Sequence, residues 1–523
     1  MSSQQPQQSL RPIEQNSYLL DGKLTTHLGS TEKVYSPINR LYLGHHPKLT
    51  QTEALAILNS SLRAWARGRG EWPTMSTSER IACVEKFVCE MQKERELVIQ
   101  LLMLEIGKPL PDSEREFDRT IDYIKDTITA LKDLDRTSSR FVIEQKIIGQ
   151  IRRSPLGIVL CMGPFNYPLN ETFTTLIPAL IMGNVAIFKP AKFGVLLWAP
   201  LLRAFQESFP PGVINTIYGD GPEVIAPLMS SGAIDVLAFI GSGKVADILK
   251  KQHPNPHRLR SILGLEAKNP AIILADADLD LAVSETLLGS LSFNGQRCTA
   301  IKMIFVHEQI KEEFLARFTL EVSKLKVGLP WEEGVKITPL PEENKCNYLR
   351  ALVDDAVAKG AAIINKQSGG GTSKEDNTTF MPTILYPVTK EMRIHNEEQF
   401  GPVVPIASFT DITTPIDYII NSPYGQQASI FGTDDQTIAS LVDHLVNQVS
   451  RVNINSQCQR GPDAFPFTGR KDSAEGTLSV SDALRVFSIR TLVAAKESPI
   501  NKQLLSTITR NHQSKFLSTD FLF

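Results

Sequence analysis

The chain has 523 residues, too many for one ordinary core, so we expect two or three packed units. Hydrophobic residues make up 42%, charged residues make up 21%, and the net charge is -2. This profile is typical of a soluble globular protein, and the lack of a basic field excludes a nucleic-acid partner. Six cysteines without a Cys-x-x-Cys pair favour reduced thiols, and no metal site is expected.

The N-terminal segment has no targeting pattern. Residues 1–15 contain neither an apolar signal-peptide stretch nor an Arg-rich amphipathic pattern. The longest apolar stretch, Leu176 to Ile187, is interrupted by Pro178 and Gly183 and is shorter than the roughly 20 residues of a membrane span. We therefore expect a cytoplasmic protein without a membrane partner.

The predicted elements change in character along the chain. From about Gln51 to Leu134, apolar residues recur at spacings of three and four, which predicts several amphipathic helices. From Ser139 to Ser154 the pattern is strand-like and predicts an extended hairpin. After Pro155, short apolar runs alternate with helices, including one from Asn170 to about Met182 and one from Val195 to Phe209. This alternation predicts a parallel sheet covered on both faces.

The predicted fold class is α/β, with a Rossmann-type dinucleotide unit followed by a second α/β unit from about Leu291 to Arg485. In a doubly wound sheet the ligand lies at the carboxyl ends of the strands. Chemistry is therefore expected in the loops at 164–167, 189–192 and 241–243. The later alternating segment, RVFSIRTLVAAK, could pair with the hairpin of another subunit or another domain.

Cys298 is a candidate nucleophile in the segment SFNGQRCTA. An isolated cysteine in an apolar neighbourhood is usually a small core residue. Here the flanking Gly, Gln, Arg and Thr are not typical of a core, and Arg297 beside the cysteine would favour a thiolate.

Six ordered motifs resemble those of the aldehyde dehydrogenase superfamily. They are GPFNYPLN (163–170), FKPAK (188–192), FIGS (239–242), SFNGQRCTA (292–300), EEQFGPV (397–403) and FPFTGRKDS (465–473). The resemblance covers roughly Ala54 to Lys496. It implies a cofactor-binding domain (1–138 and 156–288), a catalytic domain (289–484), a β-hairpin oligomerisation arm (139–155 with 485–510) and a tail (511–523). It also implies a homodimer or homotetramer.

The resemblance implies that an aldehyde is oxidised through a thioester on Cys298. The Asn166 amide and the Cys298 backbone N–H would stabilise the oxyanion. Outside this context, Asn166 would be interpreted as a turn residue before Pro168. The residues implied to bind the cofactor are Lys189, Lys192, Ser242, Glu398, Phe400, Pro164 and Phe165.

Lys192 bears on the choice of cofactor. Relatives that prefer NAD often have a glutamate here, which accepts a hydrogen bond from the adenosine 2'-hydroxyl and repels a 2'-phosphate. A lysine has the opposite charge, so NADP is predicted, with NAD as the alternative. An exposed loop lysine that only faces solvent is the other interpretation.

Within the superfamily, the sequence most resembles the non-phosphorylating glyceraldehyde-3-phosphate dehydrogenases, through FNGQRCTA, QRGPDAFPF and EREFDRTIDYI. This resemblance implies NADP-dependent oxidation of glyceraldehyde 3-phosphate to 3-phosphoglycerate. The residues implied to bind this substrate are Arg119, Arg297, Arg460, Tyr167 and Thr299. Guanidinium groups match phosphate oxygens in bidentate geometry.

Two alternatives remain for these arginines. Arginine binds carboxylate as readily as phosphate, so a semialdehyde is the alternative substrate. Arg119 could also simply pair with Glu116 or Asp122 on its own helix, and Arg460 could cap a loop.

One motif departs from the family. Most members have Glu-Leu-Gly-Gly-Lys, whose glutamate activates the water that releases the acid, but residues 264–268 here are GLEAK. Gly264 therefore replaces that glutamate, and Glu266 lies about 6 to 7 Å further along an extended strand. We predict that Glu266 is the base, while another group or release to a thiol such as coenzyme A are alternatives. The change also makes a non-catalytic descendant conceivable.

Overall fold

Two open sheets, both mainly parallel, form the centre of the protein. The computed structural model describes residues 11–375 and 377–521. The first sheet contains six strands, and only its last strand is antiparallel. Their spatial order is Ile214–Thr216, Val185–Lys189, Ile158–Met162, Val236–Ile240, Arg260–Gly264 and Ala474–Glu475. The predicted doubly wound sheet is confirmed, because these apolar runs form its parallel strands.

The second sheet contains seven strands, and only its first strand is antiparallel. Their spatial order is Ala362–Ile363, Thr383–Tyr386, Val403–Phe409, Ile301–His307, Asn269–Ile273, Gln427–Phe431 and Arg451–Ile454. The chain thus passes from one sheet to the other between Gly264 and Asn269. This change comes earlier than the predicted division between residues 288 and 289, and the domain limits themselves stay a prediction.

The first helices form the scaffold that was expected from the three-and-four spacing. They are Gln51–Trp65, Glu71–Thr74, Thr77–Lys93, Arg95–Ile106 and Leu110–Ser138. Two of them begin with a capping box, in which the N-cap hydroxyl and the N3 glutamate satisfy each other's backbone N–H groups. Phe87, Leu102 and Phe117 contribute buried side chains to the core under the first sheet.

The remaining helices flank the two sheets. They are Asn170–Ile181, Leu201–Ser208, Gly221–Val224, Ala226–Ser230, Gly243–Gln252, Leu279–Leu291, Lys311–Ser323, Lys345–Ala358, Arg393–Asn396, Thr413–Asn421, Asp435–Leu445, Val480–Val486 and Pro499–Arg510. Short 3-10 turns lie at Ala66–Gly68, Leu196–Trp198, Ser292–Gly295 and Lys366–Ser368. The predicted continuous helix from Val195 to Phe209 is wrong, because a 3-10 turn precedes Pro200 and the α-helix begins only at Leu201.

The arm is a three-stranded sheet. Strands Val142–Glu144 and Ile147–Pro155 form the expected hairpin, and Ser488–Lys496 pairs with the second of them from Ser488 opposite Pro155 to Lys496 opposite Ile147. Within this chain, the later alternating segment therefore pairs with the hairpin that begins at Val142. Exposed apolar side chains remain on the arm at Val142, Ile143, Ile147, Ile151, Ile489 and Leu492.

Small strand pairs complete the fold. They are Ile13–Glu14 and Thr31–Tyr35 with Tyr42–Pro47, Ser17–Leu20 with Lys23–Thr26, Lys326–Val327 with Val335–Ile337, and Tyr424–Gly425 with Arg470–Lys471. Across the described parts of the chain, none of the helices has the length and apolar character that a bilayer span requires.

Candidate active site

A cavity of about 1110 Å³ lies where the strands of the first sheet end and the second α/β unit begins. The three loops in which chemistry was expected all contribute to its wall. All of the predicted site residues line this one cavity: Cys298, Asn166, Glu266, Lys189, Lys192, Ser242, Glu398, Phe400, Pro164, Phe165, Arg119, Tyr167, Arg297, Thr299 and Arg460. A concave pocket of this size is large enough for a dinucleotide beside a small substrate.

A constrained loop presents Cys298 to the cavity. After the helix Leu279–Leu291, both Phe293 and Asn294 have positive φ angles, of 48° and 58°. Gly295 also has a positive φ, and a Cβ there would approach the carbonyl oxygen of Gly401 to 2.8 Å. Glycine at this position therefore lets the nucleophile loop approach the segment that follows Phe400.

The surroundings of the Cys298 thiol have opposing effects on its pKa. Burial has the largest effect and raises the pKa, and the Glu171 carboxylate raises it further. Lys302, Arg460 and a hydrogen bond from Gln426 lower it. Arg297, which the sequence suggested for this role, is not among the main influences.

Arg297 is instead held at the end of a helix. Its Nη2 donates to the carbonyl oxygens of Leu288 at 3.1 Å and Gly289 at 2.8 Å, in the last turn of Leu279–Leu291. Its Nε is buried and has no hydrogen-bond partner among the described residues. Contrary to the expectation, Arg297 is therefore not a main stabiliser of the Cys298 thiolate, although its guanidinium group borders the cavity.

Asn166 lies directly beside the loop that contains Cys298. Its side-chain Nδ2 donates to the carbonyl oxygen of Gln296 at 2.8 Å, and its own carbonyl accepts from Lys108 Nζ at 2.7 Å. An amide nitrogen carries two N–H donors, so one remains available for an oxyanion. Thr299, next to the nucleophile, is buried.

Lys108 and Glu116 support this region and were missed as site residues. Their side chains form a fully buried ion pair, and Lys108 Nζ lies 3.6 Å from the ring centroid of Tyr167. Glu116 Oε1 also accepts from the backbone N–H groups of Leu169 and Asn170, where the next helix begins. Glu116 was present in the motif EREFDRTIDYI, but only as a possible partner of Arg119.

The helix Gly243–Gln252 begins at the edge of the cavity that Ser242 lines. Ser242 is its N-cap and accepts a long hydrogen bond of 3.4 Å from Val245 N–H. Glu266 Oε2 accepts from the Gly243 N–H at 2.8 Å. The carboxylate that the sequence suggested as a base is thus held at a helix N-terminus, where backbone N–H groups favour anions.

Two lysines and three ring side chains line the same region. Lys189 is largely buried, and burial lowers its pKa, whereas Lys192 is exposed at the rim. The rings of Phe165 and Phe400 meet edge to face with centroids 5.9 Å apart, next to Pro164.

Glu398 has a buried cationic partner that sequence reasoning also missed. Its Oε1 accepts from Lys302 Nζ at 2.6 Å and from Ala267 N–H at 3.1 Å. Lys302 lies four residues after Cys298, but nothing in the local pattern separates it from an ordinary strand residue.

Two of the three arginines already have carboxylate partners. Arg119 makes a bidentate pair with Asp463 at 2.8 and 2.7 Å, so its suggested pairing with Glu116 or Asp122 is wrong. Arg460 pairs with Glu171 and lies 3.2 Å from Asp463 Oδ1. Burial alone would lower the pKa of Arg460, but the two carboxylates raise it. The charges of these two arginines are therefore largely compensated within the protein.

Sequence and structure comparisons agree with this architecture. The profile of the aldehyde dehydrogenase family matches residues 25–492. The chain belongs to the aldehyde dehydrogenase family. It is 32% identical over 472 residues to the NADP-dependent glyceraldehyde-3-phosphate dehydrogenase of Streptococcus equinus, covering 89% of this chain and 94% of that protein. The protein of the same name from Arabidopsis thaliana is 31% identical over 496 residues, covering 92% and 96%.

A solved structure of this aldehyde dehydrogenase family is similar over nearly the whole chain. It is the NADP-dependent glyceraldehyde-3-phosphate dehydrogenase from Bacillus halodurans C-125 complexed with NADP, with a TM-score of 0.86 and 30% identity. The alignment covers 93% of this chain and all of that one. A Methanococcus aeolicus lactaldehyde dehydrogenase is also related, at 27% identity over 467 residues, 88% of this chain and 96% of that protein. The expected fold and the oxidation of aldehydes are thereby confirmed, whereas the individual site residues stay predictions.

Proposed function

We propose that the protein oxidises glyceraldehyde 3-phosphate to 3-phosphoglycerate with NADP, through a thioester on Cys298. The observation that carries this proposal is the shared cavity, which brings the nucleophile and Asn166 to the cofactor-side residues Ser242 and Glu398. The names of the relatives from Streptococcus equinus and Arabidopsis thaliana support the substrate and the cofactor.

The chemistry follows from the groups beside Cys298. Its thiolate adds to the aldehyde carbon, and the C–S bond forms as the carbonyl oxygen becomes an oxyanion. The free N–H of the Asn166 amide and the Cys298 backbone N–H donate to that oxygen. Hydride acceptance is the chemistry that a bound nicotinamide cofactor supplies. Loss of hydride leaves a thioester, and water then releases the acid and restores the thiol.

The residues at the rim fit NADP. Lys192 is an exposed cation of the kind that a 2'-phosphate requires, and Lys189 is a second cation at the end of the strand that precedes it. The N-terminus of Gly243–Gln252 suits a pyrophosphate, provided that Glu266 leaves the Gly243 N–H. The Bacillus halodurans relative, whose structure contains NADP, supports this cofactor, and NAD remains possible in the family.

The compensated arginines favour a second candidate, a semialdehyde. Because Asp463 and Glu171 already pair with Arg119 and Arg460, the pocket presents less net positive charge than three free guanidinium groups would. Arg297 is the one of the three that forms no ion pair among the described residues. A monoanionic aldehyde requires less positive charge than a phosphorylated one.

Release of the acid is the proposed step with the weakest support from the positions of the side chains. Glu266 is the proposed base, yet its carboxylate is bound to the Gly243 N–H. The step therefore requires the Glu266 side chain to turn towards Cys298. If water is not activated, a thiol such as coenzyme A would take the acyl group instead.

We also propose assembly into homodimers or homotetramers through the arm. The exposed apolar side chains of Val142, Ile143 and Leu492 support this, because such clusters on one sheet commonly mark protein interfaces.

Steady-state kinetics with a substrate panel test this proposal. Glyceraldehyde 3-phosphate, unphosphorylated glyceraldehyde and carboxylated semialdehydes are compared, each with NADP and with NAD and without coenzyme A. The highest kcat/KM for the phosphorylated aldehyde with NADP supports the main candidate. A higher kcat/KM for a semialdehyde favours the second candidate, and no oxidation of any aldehyde favours a non-catalytic protein.

A further inference from the structure

Lys302 is a buried lysine that contacts the backbone of the proposed nucleophile, Cys298. It is the second residue of the strand Ile301–His307, and only 1% of its side chain is exposed. Its Nζ donates to the carbonyl oxygen of Cys298 at 3.0 Å and to Glu398 Oε1 at 2.6 Å. One buried ammonium group thus connects the backbone of the proposed nucleophile to a carboxylate that is predicted to bind the cofactor.

Both partners of Lys302 have a second fixed contact. The Cys298 carbonyl also accepts from Asn269 Nδ2 at 2.8 Å, and Glu398 Oε1 also accepts from Ala267 N–H at 3.1 Å. Ala267 lies in the segment that joins the two sheets, and Asn269 is the first residue of the strand that follows it. The ammonium group therefore belongs to a hydrogen-bond network that holds the nucleophile loop against this segment.

A buried ammonium group costs much free energy unless it is paired and hydrogen-bonded. Glu398 supplies the counter-charge, and Phe400 adds its ring at 5.6 Å from Nζ. Lys268, the neighbouring buried lysine, donates instead to Glu397 O and Gln399 Oε1. A methionine would fill a similar volume at position 302, so the charge is the distinctive property of this side chain.

The charge also acts on the thiol. Glu171 raises the pKa of Cys298, whereas Lys302 and Arg460 lower it. Arg460 is paired with Glu171 and Asp463, so its charge is offset locally. Lys302 is bonded directly to the Cys298 backbone and shares its single carboxylate partner with the Ala267 N–H.

We propose that Lys302 is a positioning residue, which fixes the Cys298 loop and the Glu398 carboxylate to each other and maintains the nucleophile in its reactive state. This role rests on the proposed function only in taking Cys298 as the nucleophile. It adds a residue that contacts neither the aldehyde nor the reacting bonds.

The test is the pH profile of Cys298 alkylation by iodoacetamide, quantified by mass spectrometry of the Cys298 peptide. In Lys302→Met the midpoint of this profile should rise by about one pH unit, so that the rate below the midpoint falls about tenfold. Glu398→Gln leaves the ammonium group and removes a negative charge, so its midpoint should fall. Lys359→Met is the matched control, because Lys359 pairs with Asp355 at 2.7 Å outside the cavity.

The Lys302→Met/Glu398→Gln variant is the control for misfolding, because it leaves no unpaired carboxylate at position 398. Its midpoint should lie above that of Glu398→Gln. A midpoint in Lys302→Met equal to that of Lys359→Met, or a double variant that matches Glu398→Gln, overturns the proposal. Alkylation needs no aldehyde, so a protein that shows these shifts but oxidises no aldehyde contradicts the proposed function and not the role of Lys302.

Discussion

The carboxylate of Glu266 lies 2.8 Å from the backbone nitrogen of Gly243 and accepts its hydrogen bond. This contact holds the proposed base at the N-terminus of the helix Gly243–Gln252. If Glu266 activates water after leaving Gly243, Glu266→Gln should retain a burst of reduced cofactor and slow steady-state turnover. A loss of about 10²-fold is expected, since general bases contribute about that much or more. Rapid-mixing kinetics measure both phases, and an unchanged steady-state rate would remove Glu266 from the mechanism.

Gly264 leaves room for the glutamate that the family usually carries. The three atoms nearest to a Cβ at Gly264 would belong to the Ile240 side chain, the first at 3.4 Å, which is an ordinary contact. We therefore expect Gly264→Glu to fold and to raise steady-state turnover by about tenfold if release of the acid limits the rate. Gly264→Gln, which adds the same bulk without a base, is the control. Equal turnover in both variants would show that the missing carboxylate does not limit the enzyme.

The exposed cation at Lys192 should decide between the two cofactors. In Lys192→Glu, the ratio of kcat/KM for NADP to that for NAD should fall by about tenfold or more, because a charge-assisted contact is replaced by repulsion. Lys192→Met should lose affinity for NADP without gaining affinity for NAD. A ratio that is the same in all three proteins would mean that Lys192 only faces solvent.

Glu171 should oppose the binding of a phosphorylated substrate, because it pairs with Arg460 inside the cavity. In Glu171→Gln, Arg460 keeps Asp463 as a partner and gains capacity for an external anion. The KM for glyceraldehyde 3-phosphate should fall by about tenfold, while the KM for unphosphorylated glyceraldehyde changes little. Equal changes for both aldehydes would argue against an anion beside Arg460.

Glu105 should make stability depend on pH. Burial raises its pKa to about 7, and hydrogen bonds from the N–H groups of Leu196, Leu197 and Val195 oppose this effect. Because the folded pKa lies above the usual 4.5, the contribution to stability is full below about pH 4.5 and is lost as the pH rises through 7. It amounts to about 3 kcal/mol.

Thermal midpoints of the wild type and Glu105→Gln measure this effect. Between about pH 5 and about pH 8, the midpoint of the wild type should fall relative to that of the variant. Parallel curves would mean that Glu105 does not titrate in this range. The loop that Glu105 supports directly follows the strand of Lys189, so cofactor affinity should weaken together with stability.

The local sequence pattern correctly predicted structural features that depend on residues close together in the chain. The apolar runs at 158–162, 185–189 and 236–240 became parallel strands, because such runs must be buried on both faces. The break before Leu201 could also have been predicted, since Pro200 lacks the N–H that a continuous helix requires. The motifs also contain residues that the fold brings together in one cavity.

Two of the missed contacts join distant parts of the chain. Arg119 and Asp463 are 344 residues apart, and Lys302 and Glu398 are 96 apart. Their pairing is decided by how helices and sheets pack, which no local spacing records. For the same reason, the sequence could not indicate that Glu266 accepts a hydrogen bond from the Gly243 N–H.

The role of Cys298 as the nucleophile is tested most sharply by a single-turnover experiment with glyceraldehyde 3-phosphate and NADP in excess over the enzyme, quenched with acid and analysed by peptide mass spectrometry. We expect one equivalent of reduced cofactor per active site in the burst, with a 3-phosphoglyceryl group on the Cys298 peptide, and neither product in Cys298→Ser. Reduced cofactor in Cys298→Ser, or a wild-type burst without modification of Cys298, would contradict this role.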